Sequence, residues 1–149
     1  MALATDRNTP MRQPGIQSGL AAAALIYAGA LVMRNAAGYI TKGATATGSV
    51  GVGRAEELVD NSAGNAGDKS IDFRPGTFRY KNSASTDAIT IAQIGDVCFV
   101  VDDETVAKTN GSGTRSPAGI VADVDDQGVW VRFDEGLTRV YVEGIANPV

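Results

Sequence analysis

Turn-forming residues punctuate this chain about every 8–12 residues, too often for long helices and often enough for a string of short strands. The clearest pair of strands is Ala118–Phe133, AGIVADVDDQGVWVRF. In its second arm Val129, Val131 and Phe133 share one face, and Trp130, Arg132 and Asp134 share the other, the period of two that a half-buried strand requires. The first arm is less regular: Ile120, Ala122 and Val124 fall on one side, while Val121 opposes them beside Asp123. Asp125-Asp126-Gln127-Gly128 joins the arms with side chains that bond their own backbone or tolerate positive φ. The only tryptophan, Trp130, lies on the polar face, where a large amphipathic ring suggests contact with something other than water.

The segment Met1–Ser18 is polar, carries Pro10 and Pro14, and has no apolar period, so it reads as an extended arm before a single β-rich domain over residues 19–149. Leu20–Met33 is apolar but shorter than the ~20 residues a membrane-spanning helix needs. Its polar lead, with Asp6 and two prolines, argues against a secretory signal. Ile26–Arg34 is expected to be a strand, with both faces apolar and therefore central in the core or sealed by a second subunit. Leu20–Leu25 is left open between helix and strand. Further strands are expected at Gly38–Thr41, at Val50 to Val59, on each side of Pro75-Gly76 within Ser70–Lys81, at Ile89–Ile91, at Val97–Val101, at Val106–Thr109 and at Val140–Val142. The last residues are expected to run out as a tail. Eight to ten short strands predict an all-β fold, a compact small β-barrel or sandwich domain with an extended N-terminal arm.

Site chemistry is sparse. The chain has no histidine, which removes the commonest general base and metal ligand together. Cys98 sits in an apolar run and reads as a buried small hydrophobe. Gly51-Val52-Gly53 lacks the third glycine of a dinucleotide fingerprint and fits a strand in close backbone contact. Asp123, Asp125, Gln127, Gly128 and Asp134 match some positions of a calcium loop, but strands flank them where helices are required. No catalytic, cofactor-binding or metal-ligating residue is therefore expected. Net charge is −4, split between +3 over residues 1–85 and −7 over residues 86–149. Phosphate contacts need clustered Lys and Arg, so direct nucleic-acid binding is disfavoured. What remains are features of assembly: an arm, an over-apolar strand, an outward tryptophan and divided charge.

In order along the chain, Tyr27–Val32 with Asn35–Tyr39, Val52–Ala55 with Val59–Asn61, Gly76–Asn82, Asp96–Asp103, Thr105–Ala107, Ala118–Val121 and Val129–Val131 resemble the small capsid decoration (cement) proteins of tailed bacteriophages. The resemblance covers about residues 16–133. It implies a compact β-domain, usually trimeric, on the outer capsid surface of the virion after synthesis in the host cytoplasm. Its partners would be the major capsid protein and its own copies, with no membrane and no cofactor. It would brace the shell against internal DNA pressure through buried area repeated over many sites. The candidate interface residues are Arg7, Pro10, Arg12, Pro14, Ile16 and Trp130. Alternatives are a tail or spike module of the virion, a ligand-binding β-barrel or enzyme with a pocket of convergent polar groups, and a secreted bacterial protein.

Overall fold

The computed structural model describes residues 2–12 and 14–146, with side chains as far as Val142. The protein is all-β with one short helix. Its strands are β1 (Gln17–Leu20), β2 (Leu25–Ile26), β3 (Leu31–Arg34), β4 (Ile40–Lys42), β5 (Val50–Ala55), β6 (Val59–Asp60), β7 (Ser70–Arg74), β8 (Thr77–Asn82), β9 (Val97–Val100), β10 (Thr105–Ala107), β11 (Pro117–Asp125) and β12 (Gly128–Arg132), followed by α1 (Glu135–Ala146).

Strands β8 to β12 form a closed barrel in the order β10-β8-β12-β11-β9, antiparallel except where β10 runs parallel to β8. The alternation at Val129, Val131 and Phe133 turns these three side chains into its core, with Val121, Cys98, Val100 and Val106. The irregular first arm of the hairpin has a physical cause. Val121 pairs with Val131 but Asp123 pairs with Trp130, so a bulge at Ala122 resets the register. Val121 thus points inward, and Ala122 and Asp123 are exposed.

The N-terminal strands make a second layer, a sheet in the order β1-β7-β5-β3-β4 that curls until Ala21 bridges Ile40. Phe73, Ile71, Ile40, Val32 and Val52 fill it, and the β2–β6 pair contributes Ile26 and Val59. Beneath that pair the buried Asn61 amide donates to the carbonyls of Ala21, Ala22 and Asn65. Strand β3 serves both layers: Val32 enters this cluster, while Leu31 and Met33 enter the barrel core. Its two apolar faces are therefore covered within one chain.

The layers touch backbone to backbone. A Cβ at Gly51 of β5 would collide with the Ala118 carbonyl of β11; within the N-terminal sheet itself, one at Gly53 (φ 149°) would collide with the Arg74 carbonyl of β7. Glycine is required at both positions, the reason Gly51-Val52-Gly53 stands as it does. Helix α1 packs across the joint against β5 and β11.

Four expectations need correction. Ile26–Arg34 is not one strand, because a turn over Tyr27–Ala30 separates β2 from β3 and places Gly29 at φ 87°. Ile89 and Ile91 form no strand: Ile89 plugs the barrel core, and Ile91 opens a 3-10 turn, Ile91–Gln93. Val140–Val142 is helical. The Asp134 carboxylate accepts the Leu137 amide at 3.0 Å and caps α1, and Glu135 lies in its first turn, where the helix dipole favours an acid. The arm ends at Ile16, because Gln17 and Ser18 already pair with Phe73 and Asp72 in β1. Leu20–Leu25 contains no helix; Leu20 closes β1 and Leu25 opens β2. Met1, Gln13 and residues 147–149 of the expected arm and tail lie outside the described residues.

Candidate interaction surfaces

Residues 2–12 and 14–16 belong to no strand or helix, and all but Gly15 are exposed. Among the candidate interface residues, Arg7 donates to Thr9 Oγ1 at 2.9 Å, and Pro10 and Pro14 stand in solvent. Arg12 and Ile16 are brought together, lining with Gln17 and Ser18 a groove of about 320 Å³ where the arm meets β1. Strand β1 is outermost in its sheet. Such an edge offers unpaired backbone groups, and Ile16 and Leu20 beside it are half-exposed.

Trp130 lies apart from the arm, on the outer face of the barrel. Its indole N–H donates to Asp125 Oδ2 at 3.0 Å, and the Arg79 guanidinium sits 5.5 Å from the ring centroid on the neighbouring strand. The indole hydrogen bond, with the Gln127 amide, holds the Asp125 carboxyl below its usual range. The amphipathic character of this ring is therefore met inside its own hairpin, and no second molecule is needed to explain it. The turn acids are engaged in the same way, Asp125 by Trp130 and Asp134 by the helix it caps.

An ionic bridge runs beside the joint. Glu56 accepts from Arg54 at 2.9 Å and from Arg74 at 2.7 Å, and Arg54 lies 4.3 Å over the Phe78 ring of the barrel. Both guanidiniums depress the Glu56 carboxyl.

Buried titratable groups are held in neutral forms. Burial pushes the Cys98 thiol up to about 12, far from a nucleophilic thiolate at neutral pH. It also raises the Tyr80 hydroxyl, which donates to the Gly29 carbonyl at 3.1 Å. Among the described residues, no group of three or more His, Cys, Asp or Glu side chains is placed to hold a metal ion, and no helix is long and apolar enough to cross a membrane.

Two apolar features escaped the sequence reading. Leu137, Val140 and Tyr141 are exposed on α1, and Ile91 and Ile94 project from the 3-10 turn. The first had a signal in Asp134, three residues before Leu137, with apolar residues then spaced three and four apart. The second had one in Thr90-x-x-Gln93, a capping box. No protein-family model matches the chain, and no curated protein or solved structure shows significant similarity to it.

Proposed function

We propose that this protein is a structural component of a phage virion, a capsid decoration protein that binds the outer face of the major capsid shell and works as an oligomer of its own copies. The reading joins the ordered resemblance along residues 16–133 to one observation: an exposed arm runs into the open edge of a rigid β-domain. The arm presents the apolar side chains of Leu3, Met11 and Ile16 to solvent. An extended segment of this kind adds contact area to a neighbour by main-chain pairing and side-chain anchoring. A weak contact becomes strong when it is repeated around a ring and over a shell. The function requires no catalysis and no cofactor; the shell is stabilised by surface covered rather than by a reaction.

The test is co-sedimentation with capsid shells assembled from the cognate major capsid protein. The full chain should pellet with the shells. Deletion of residues 2–12, which leaves β1 whole, should cut binding at least tenfold while circular dichroism and thermal unfolding stay unchanged. Equal binding by both proteins would remove the arm from the mechanism, and binding by neither would end the decoration reading.

A further inference from the structure

The barrel carries an apolar knob and an apolar groove, one near each end of β9. The knob is the turn Ile91–Gln93 with Ile94, in which Ile91 is 74% and Ile94 45% exposed. Both isoleucines therefore keep apolar surface in water that a partner could bury. The turn is braced to hold them there. Gln93 Oε1 accepts from the Thr90 amide and hydroxyl at 2.8 and 2.9 Å, and Thr90 Oγ1 accepts from the Ala92 amide. Just beyond, the Gly95 amide donates to the Val121 carbonyl and the Val121 amide to the Asp96 carbonyl. A loop fixed this way loses little further entropy on docking.

The groove is built by Phe99, Pro117, Tyr141 and Val142 with Asn110 and Arg115; it is open to solvent on one side and offers about 140 Å³. Apolar cavities of ~150 Å³ accept a benzene-sized group, so an isoleucine side chain is of the right scale. Cys98 and Val100 are fully buried, which turns the alternate residues Val97 and Phe99 of β9 outward.

Charge distinguishes the two ends. The knob runs into Asp96, which bonds Val121 of β11 two residues before Asp123, so two exposed acids stand there against one cation, Arg132, across β11 from Val97. At the groove, Arg115 Nη1 pairs with Asp87 Oδ2 at 3.2 Å, and Lys108 also lies near enough to favour that carboxylate. Among the described residues two cations thus face one anion there, and Arg115 Nε is buried without a hydrogen-bond partner. A matching pair of acidic knob and basic groove on one molecule fits copies of that molecule joined head to tail.

We infer that the Phe99–Tyr141 groove of one copy receives the Ile91–Ile94 turn of the next, with the knob's acidic flank facing Arg115 and Lys108. This deepens the self-association part of the proposed function and rests on it only in requiring that copies meet.

The test uses full-length protein and two cysteine variants, Ile91→Cys and Tyr141→Cys, joined by a short bismaleimide. Cys98 is fully buried and stays out of the reaction. Mixing the two variants should give a covalent dimer and nothing larger, each variant alone should remain single, and the double variant should give a ladder ending in a closed ring. Failure of the mixture to link, or linking of either variant to itself as readily as to the other, would overturn the inference. Independently, Ile91→Asp should weaken self-association at least tenfold in sedimentation equilibrium with secondary structure intact; unchanged association would also overturn it. No shell is present in these assays, so a negative result leaves shell binding by the arm standing. A positive result beside failed co-sedimentation sinks only the decoration reading.

Discussion

The two layers solve the same problem differently. In the barrel, β8 to β12 pair around a full circle, and every strand has two neighbours. In the N-terminal layer the sheet closes at one backbone bridge, Ala21 to Ile40, and leaves β1 as a free edge. There a single amide, Asn61, ties together three carbonyls beneath the β2–β6 pair. Closure by a ladder spreads stability over many equivalent bonds. Closure by one bridge and one polar knot concentrates it, and leaves an edge free for something outside the fold. The exposed arm enters the molecule at that edge.

The strongest way to break this arrangement is at the joint. Gly51→Ala should force β5 away from the Ala118 carbonyl and cost about 3 kcal/mol or more, read as a lower urea midpoint for both layers together. If the two layers then unfolded separately, they would not be acting as one cooperative unit. Next in size is Asn61→Ala, which strands buried carbonyls and should cost about 2–3 kcal/mol. Hydrogen exchange should then quicken in β1, β2 and β6 well before β11 and β12. Uniform loss of protection would deny that the N-terminal layer depends on a local knot.

The helix over the joint depends on its cap, so Asp134→Ala should cost about 1 kcal/mol and lower helical ellipticity while leaving the sheet signal alone. The smallest expected effect is electrostatic. Because Glu56 is depressed in the folded state, its contribution is present above the unfolded value near 4.5 and is lost as pH falls through the lower folded value. With both arginines part-exposed, it should be worth roughly 1 kcal/mol or less. Glu56→Gln should flatten the stability profile below about pH 4.5, and a profile identical to wild type would remove the ion bridge from the joint's energetics.

Much of the barrel was legible because its strands obey the period of two. Val129, Val131 and Phe133 declare an inward face by spacing alone. The bulge at Ala122 was visible only as an irregularity, since register depends on the partner strand. Leu31, Val32 and Met33 announced burial on both sides, but not whether the cover came from the same chain or another; topology decided that. Helix α1 was hidden because Val140, Tyr141 and Val142 favour strands by composition, and the competing signal was one capping aspartate. At the surfaces, the arm was readable from Pro10, Pro14 and missing periodicity. The pairing of Phe99 with Tyr141 in one groove was not, because residues 42 apart in the chain meet only when α1 folds back over β11.

The central claim, that this molecule acts by covering a viral shell, is tested most directly by cryo-electron microscopy of particles assembled with and without it. The account requires extra density on the outer capsid face, in repeated clusters where major capsid subunits meet and absent from particles lacking the protein. Identical shells in the two samples, or density confined to a sixfold ring at the tail, would contradict it.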